Sequence, residues 1–149
     1  MPAGDPQIER FLIGRTQGEG LFQDFTGRVR RRFAITLDGR MDNGVLVLTE
    51  DFVFDDGETD QRVWRIVRNA DGAYTATAGD LIGEARGVVR GGALRWTYLF
   101  SLKIGAKRLR VRFRDTFIQV ADNVLLNEAR VTKFGFEIGR TTIIIRREA

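Results

Sequence analysis

The side chains of this sequence that could carry chemistry are polar residues that interrupt apolar faces, in segments that alternate with a period of two. In 44–54, Glu50 shares a face with leucine and phenylalanine side chains, and in 61–69, Arg62 shares a face with Trp64. Such alternation is typical of strands with one buried and one wet face. We therefore expect Glu50 and Arg62 to point into the interior.

Glu50 and Arg62 lie almost equally far from the turn signal at 55–58, so they are expected to be direct or diagonal neighbours across a hairpin. We predict an ion pair between them inside the apolar face. Two roles are open. The pair fixes the register of the two strands, or Arg62 in addition offers its charge to an anionic ligand.

Asp115 is a second carboxylate on an apolar face, in the alternating segment 107–120. An ionised carboxylate in such a place needs a cationic partner, and Arg62 or Lys133 could supply it. The alternative is a β-bulge that turns Asp115 outward.

Three aromatic side chains, Trp64, Trp96 and Tyr98, are expected on the same inner surface, where they either line a cavity or pack as core. Asp80 is either a turn residue or reaches inward. An apolar interior with a few convergent polar groups is the usual composition of a small-molecule site. The predicted ligand-binding residues are Glu50, Arg62, Trp64, Trp96, Tyr98, Asp115, Asn127 and Lys133.

The composition excludes several kinds of chemistry. The sequence has no Cys and no His, which removes disulfides, thiolate nucleophiles, Cys/His zinc sites, His-ligated haem and His-based triads. No Asp-rich loop has calcium-binding spacing. We therefore expect neither a cofactor nor a metal.

The elements that would position these residues are mostly strands. Turn signals rich in Gly, Asn and Asp separate ten alternating segments by short connections. The predicted strands are 16–25, 28–38, 44–54, 61–69, 73–79, 84–91, 93–103, 107–120, 124–134 and 136–147. Short connections favour an antiparallel meander, and ten twisted strands with little helix to cover them would close on themselves.

One helix is predicted near 6–13, with Asp5 as its cap, Pro6 in its first turn and Gly14 as its end. A helical plug over one end of the barrel is its expected role. The predicted fold is therefore all-β, a single domain over 1–149 that forms a roughly ten-stranded, lipocalin-like (calycin-like) barrel with a short N-terminal helix.

The charge pattern is that of a mixed surface, with a net charge of +4 and a sequence pI near 10.1. The arginines of two combs, 28/30/32 and 108/110/112/114, should point away from the core. They form a solvated face or, if they converge, a patch for phosphate groups such as those of an anionic membrane. No nucleic-acid motif with interleaved aromatic residues is present, so no nucleic acid is expected as a partner.

No apolar run approaches the ~20 residues of a membrane-spanning helix, and the first residues do not resemble a signal peptide. As given, the chain is expected to be soluble and cytoplasmic, or periplasmic if a leader has been removed.

Motifs along most of the chain resemble a bacterial family of proteins of unknown function, many of which are described as lipoproteins. The motifs are Gly20-Leu21-Phe22-Gln23-Asp24 with Gly27, Arg32-Phe33, Leu48-Thr49-Glu50-Asp51-Phe52, Asp55-Asp56-Gly57-Glu58, Arg62-Val63-Trp64, Asp80-Leu81-Ile82-Gly83-Glu84-Ala85-Arg86-Gly87, Ala93-Leu94-Arg95-Trp96-Thr97-Tyr98, Asn127-Glu128-Ala129 and Lys133-Phe134-Gly135. Where the family has an Asp-Asp-Trp-Met-like stretch, this chain reads Arg114-Asp115-Thr116-Phe117.

The resemblance implies little about activity, since the family has no assigned one. Many members carry a lipidated N-terminal Cys, which this sequence lacks. Relatives are often encoded near lipid-modifying enzymes such as cyclopropane-fatty-acid synthase-like proteins, so the resemblance implies a lipid-linked role.

The leading hypothesis is a lipocalin-like or fatty-acid-binding-like module. Its cavity would hold a hydrophobic, acyl-chain or lipid-like ligand against Trp64, Trp96 and Tyr98, with Arg62 or Lys133 at the carboxylate or phosphate head.

Two other functions stay open. The first is a cofactor-free barrel enzyme of the isomerase, cyclase or hydratase type, with Glu50 and Asp115 as acid and base. The second is an accessory subunit of a lipid-modifying enzyme, which presents an outer face to its partner and has a filled interior.

Overall fold

The computed structural model of the protein describes residues 8–104 and 106–148. They form one short helix followed by ten strands, which confirms the all-β fold class. The helix α1 is Ile8–Leu12, and the strands are β1 (Gly14–Asp24), β2 (Val29–Asp42), β3 (Val45–Phe54), β4 (Thr59–Arg68), β5 (Tyr74–Thr77), β6 (Leu81–Arg90), β7 (Ala93–Ile104), β8 (Lys107–Ala121), β9 (Val124–Lys133) and β10 (Phe136–Arg147). The predicted helix cap, Asp5 and Pro6, lies outside the described residues.

The strands form a closed antiparallel barrel. Each strand pairs with its neighbour in sequence, and β1 closes the barrel by pairing with β10, from Thr16 opposite Arg147 to Asp24 opposite Gly139. The expected meander is thereby confirmed, and closure gives every strand two hydrogen-bonded neighbours, which removes the exposed edges of an open sheet.

Alternation along the strands separates the interior from the surface. On β2, Ile35 and Leu37 are buried at 2% and 1% exposure, and on β8, Val111 is buried between exposed Arg110 and Arg112. Every arginine of the two predicted combs is exposed. The first comb begins in the turn before β2 and continues along β2, and the second lies on β8, which is not a neighbouring strand, so the combs are not side by side along their length.

The helix closes one end of the barrel, in the expected role of a plug. Ile8, Phe11 and Leu12 are buried against the interior. Its Glu9 carboxylate accepts a 2.8 Å hydrogen bond from the Tyr74 hydroxyl. Arg147 donates to the carbonyl oxygen of Phe11 over 2.8 Å, so the last strand also holds the helix in place.

The packing of α1 on β2 explains why residue 39 is a glycine. A Cβ at Gly39 on β2 would overlap the carbonyl oxygen of Leu12, whereas a Cβ at Gly79, in the turn before β6, would meet nothing within 4 Å. Only Gly39 is therefore required for the helix to pack.

We expect Gly39→Ala to destabilise the protein by about 1–3 kcal/mol, because the backbone of the helix must move away from β2. Gly79→Ala is the matched control and should change stability by less than about 0.5 kcal/mol, or raise it slightly. Urea denaturation of both variants measures the difference, and equal stabilities would show that the helix does not depend on this contact.

Candidate functional site

The interior of the barrel is not filled by side chains. It contains a cavity of about 1140 Å³ that lies over the buried side of α1, where Ile8 and Leu12 line it. At the opposite end the lining includes Glu58, Asp60 and Arg108, which are exposed. The cavity therefore has a closed, apolar end at the helix and opens to solvent between polar side chains at the other end.

Glu50 and Arg62 lie directly opposite each other on β3 and β4, and both line the cavity, which confirms the expected cross-strand pairing. The predicted ion pair between them is wrong. Glu50 instead accepts a 2.8 Å hydrogen bond from the indole N–H of Trp64, which shares the inward face of β4 with Arg62. Both Glu50 and Arg62 are half-buried rather than fully buried, because they border the cavity.

Arg62 is held by aromatic rings. Its guanidinium carbon lies 4.5 Å from the centre of the Phe100 ring and 5.7 Å from that of Phe52. Its Nε is buried and donates to none of the described residues. Cation–π contacts compensate the charge without using the N–H groups, so the Nε donor has no acceptor among the described residues.

Asp115 faces the interior and lies at the end of a chain of contacts that crosses the cavity. The Tyr98 hydroxyl donates a 2.9 Å hydrogen bond to Oδ2 of Asp115, and the Tyr98 ring meets the Trp64 ring edge to face at 5.5 Å. The alternative of an outward Asp115 is wrong, because the register shift of β8 falls later, between Gln119 and Ala121. Asp115 Oδ1 is buried and accepts from none of the described residues.

Burial changes the acidity of this cluster. It raises the pKa of Asp115 to about 7, an effect that the Tyr98 hydrogen bond and the charge of Arg62 oppose and the charge of Glu50 reinforces. The pKa of Glu50 is also raised by burial, against the opposing effects of Arg62 and the Trp64 hydrogen bond. The pKa of Tyr98 is raised well above its ordinary value by burial and by Asp115. A carboxyl with a pKa near neutrality can give or take a proton at physiological pH.

Two more of the predicted site residues also lie in the cavity wall. Trp96 and Asn127 are buried at 6% exposure each and line the cavity. Asp80 lies in the turn before β6 and also lines the cavity mouth, so both of its expected roles apply.

Lys133 is the exception among the predicted site residues. Its ammonium donates over 2.7 Å to the backbone carbonyl of Arg110, and it does not line the cavity. Lys133 has the inward phase of β9, but it pairs with Phe136 next to the turn, at the rim of the barrel. It therefore cannot be the partner of Asp115 or the anchor of a ligand inside the cavity.

The sequence interpretation missed Arg31, which lines the cavity at its open end. Its guanidinium carbon lies 3.6 Å from the centre of the Phe54 ring, and it forms ion pairs with Asp56 at 3.4 Å and Glu58 at 3.6 Å. The sequence contained the information to find it, because Arg31 is two residues before the inward-facing Phe33 on β2 and therefore lies on the same face of the strand. No group of three or more potential metal ligands occurs among the described residues.

Comparison with known proteins places the chain in a family. A family model described as "Protein of unknown function (DUF3833)" matches residues 4–147. The chain belongs to this family. A search of curated proteins finds no match.

Among solved structures, the S-type phycobiliprotein lyase of Guillardia theta has a similar fold. The TM-score is 0.70 at 7% sequence identity, over 99% of this chain and 96% of that chain. At this identity the likeness shows the fold alone and confirms the lipocalin-like barrel. No helix among the described residues has the length and apolar character needed to cross a membrane.

The raised pKa of Asp115 predicts how stability depends on pH. The unfolded chain ionises this carboxyl near its ordinary value of about 3.9, whereas the folded protein holds the proton up to a pH of about 7. Below about pH 4 both states hold the proton, and above about pH 7 neither does. Between these values only the folded state holds it, so the free energy of unfolding falls as the pH rises from about 4 to about 7 and levels off above that.

Asp115→Asn should flatten this fall and make the protein more stable than wild type at pH 8, by up to a few kcal/mol at about 1.4 kcal/mol per pKa unit. The amide oxygen keeps an acceptor for Tyr98. Urea denaturation at pH 5 and 8 measures the effect, with the exposed Asp122→Asn as control. A pH dependence that is unchanged in Asp115→Asn would show that this carboxyl is ionised in the folded state throughout.

Proposed function

We propose that the protein is a binding module for a hydrophobic, acyl-chain or lipid-like ligand, held inside the barrel with its polar head at Arg62. The observation that carries this proposal is the cavity of about 1140 Å³ with a guanidinium whose Nε has no partner among the described residues. Sites for drug-sized ligands have volumes of about 300–1,000 Å³, so the space suits a ligand of that size or larger. An interior of this kind argues against the accessory subunit, for which a filled interior was expected.

The walls of the cavity favour a long apolar group. Ile8 and Leu12 of the helix line its closed end, and Ile35 and Leu37 of β2 line the wall, so a chain entering from the open end meets apolar surface there. Burial of an acyl chain contributes about 0.8 kcal/mol per methylene group. The apolar lining therefore supports a hydrocarbon group rather than a compact polar molecule.

The polar cluster supports an acidic head group. Arg62 offers donors to a carboxylate or phosphate, and charge-assisted hydrogen bonds of this type are the strong ones. Asp115 would oppose an anion when ionised, but its pKa of about 7 allows it to be neutral when the ligand is bound. Binding of an anionic ligand would therefore take up a proton and be tighter at pH 6 than at pH 8.

Intrinsic fluorescence tests the proposal directly, because both Trp residues of the chain, Trp64 and Trp96, line the cavity. Palmitate, added below its critical micelle concentration, should change the emission and raise the melting temperature with increasing concentration. Arg62→Met should weaken palmitate by about ten-fold or more, since a hydrogen bond to a charged group contributes about 1.5–3 kcal/mol. Monopalmitoylglycerol, which carries no charge, should be affected much less.

Arg65→Met is the matched control, because Arg65 is on the same strand and exposed. Ala129→Leu places extra volume in the cavity, where Ala129 is buried at 4% exposure, and should weaken both ligands while the protein stays folded. Absence of any fluorescence or thermal response to both ligands would refute the proposal, and equal losses in Arg62→Met for both would refute the role of Arg62.

A second function is supported by Asp115 itself. Its free Oδ1, its hydrogen bond to Tyr98 and its pKa near 7 are the properties of a general acid or base in a cavity. The fold neighbour is named as a lyase, so a barrel of this architecture carries chemistry in at least one protein. We propose acid–base chemistry of the isomerase, cyclase or hydratase type, with Glu50 as the second carboxyl, as the alternative.

Deuterium exchange distinguishes this alternative from binding alone. If Asp115 removes and returns a proton of a bound unsaturated or carbonyl-containing lipid, incubation in D₂O should introduce deuterium at carbon, detected by mass spectrometry of the recovered lipid. Asp115→Asn should abolish the exchange, while leaving binding measured by Trp fluorescence within about three-fold, a change of less than about 1 kcal/mol. Lipid recovered without deuterium from the wild-type protein would leave binding as the function.

A further inference from the structure

The open end of the barrel carries three exposed phenylalanines. Phe25 is 75% exposed in the turn between β1 and β2, Phe134 is 87% exposed in the turn between β9 and β10, and Phe136 is 76% exposed at the start of β10. An exposed phenylalanine contributes nothing to the core, so the positions of these three need a separate explanation.

The two turns are neighbours because β1 pairs with β10. The ladder between these strands ends with Asp24 opposite Gly139, so the chain beyond it forms both turns at the same end of the same part of the barrel. The phenylalanines therefore belong to one stretch of the rim. We call the stretch formed by 24–28 and 133–137 the aromatic rim.

The backbone of the second turn is poorly suited to the residue it carries. Phe134 has a φ of 52° and is followed by Gly135 at 81°, two positive values that a type I′ turn requires. The turn at the helix end of the barrel has the same backbone, with φ of 50° at Asn43 and 81° at Gly44. Asn is favoured in this conformation and a bulky aromatic residue is not. Neither the backbone preference of the turn nor packing in the core explains why residue 134 is phenylalanine. We therefore look for a function of its exposed ring.

Charge is unevenly distributed around the open end. The aromatic rim and the neighbouring start of β8 carry basic side chains: Arg28, Arg30, Lys107, Arg108 and Lys133. The acids in this part, Asp24 and Glu137, are already in ion pairs with arginines at 3.8 and 3.3 Å. The rest of the rim, formed by the turns after β3 and β5, is acidic: Asp55, Asp56, Glu58, Asp60 and Asp80. It adjoins the aromatic rim where β2 pairs with β3, and there Asp56 and Glu58 form ion pairs with Arg31.

We propose that the aromatic rim is a docking surface for an anionic lipid bilayer. Exposed aromatic tips flanked by basic side chains match the chemistry of such a surface, where aromatic rings enter the interface and Lys and Arg meet acidic head groups. Lys133 illustrates the match, because its ammonium lies 4.7 Å from the centre of the Phe134 ring, with the charge beside the apolar tip. The acidic part of the rim fixes the orientation, since an anionic surface repels it.

The proposal rests on turns, exposure and charge, and it does not depend on what the cavity holds. The cavity opens at this same end of the barrel, so a docked protein would have its entrance beside the membrane.

Sedimentation with vesicles tests the proposal. The full chain should bind vesicles of phosphatidylcholine mixed with phosphatidylglycerol, and binding should fall as salt is raised, because salt screens charges beyond about 8–10 Å. Vesicles of phosphatidylcholine alone should bind much less. Phe134→Asn should reduce partitioning by about ten-fold or more, the factor expected for removing one large apolar side chain from a contact.

Phe134→Asn keeps the protein folded, because it installs the residue that the equivalent turn at 43–44 uses, and its thermal stability should equal or exceed that of wild type. Phe25→Ser should weaken vesicle binding to a similar extent. Val120→Thr is the matched control. It makes polar a side chain that is 58% exposed near the helix end, and vesicle binding should be unchanged.

A result of either of two kinds, failed vesicle binding tests or a lipid-free dimer, would overturn the proposal. One is wild-type protein that stays in the supernatant with anionic vesicles at low salt, or phenylalanine variants that bind them as wild type does. The other is a dimer, measured by analytical ultracentrifugation without lipid, that Phe134→Asn converts to monomer. In that case the aromatic rim contacts a second copy of the chain.

Discussion

The pairing of β1 with β10 is the constraint on which the rest of the structure depends. Once the sheet is closed, each strand has one face toward the interior and one toward solvent, and a polar residue with the inward phase has no alternative place. Glu50, Arg62 and Asp115 are inside for this reason. Closure also sets the width. About eight strands give an interior that side chains just fill or that holds one small ligand, so ten strands leave space that the side chains of this chain do not occupy.

A closed barrel has two ends, and here the sequence makes them different. At the helix end, Glu9 and Arg147 hold α1 over the opening, and the turn at Asn43 has the residue that its backbone favours. At the other end, the turns carry exposed phenylalanines on one side and carboxylates on the other. Asn43 and Phe134 have nearly the same φ. Asn43 is the residue type that this backbone favours, whereas Phe134 is not, so the fold accounts for Asn43 and does not account for Phe134.

The parts of the structure that local pattern determines could be predicted from the sequence. The register of β3 and β4 follows from counting residues on either side of a turn, so the pairing of Glu50 with Arg62 was predictable. The ion pair was not, because register places two side chains side by side but does not choose between partners. The indole of Trp64 competes for Glu50 and the ring of Phe100 competes for Arg62. The alternation along β9 also predicted Lys133 to be inside. A residue next to a turn, however, lies at the rim of the barrel whichever side of the strand it is on.

The polar cluster shows how the cavity limits its own charge. One guanidinium and two carboxyls line the same cavity, and if both carboxyls were ionised this cluster would carry a net negative charge. Burial raises the pKa values of Glu50 and Asp115, and the charge of Glu50 raises that of Asp115 further. The cluster therefore approaches neutrality by holding a proton rather than by recruiting a second cation. Lys133, the residue that could have supplied that cation, uses its ammonium on the backbone of β8 instead. An interior balanced by a proton, not by a fixed salt bridge, can accept a negative charge by taking up another proton. In the proposed binding function that charge would lie beside Arg62, whose Nε has no acceptor among the described residues.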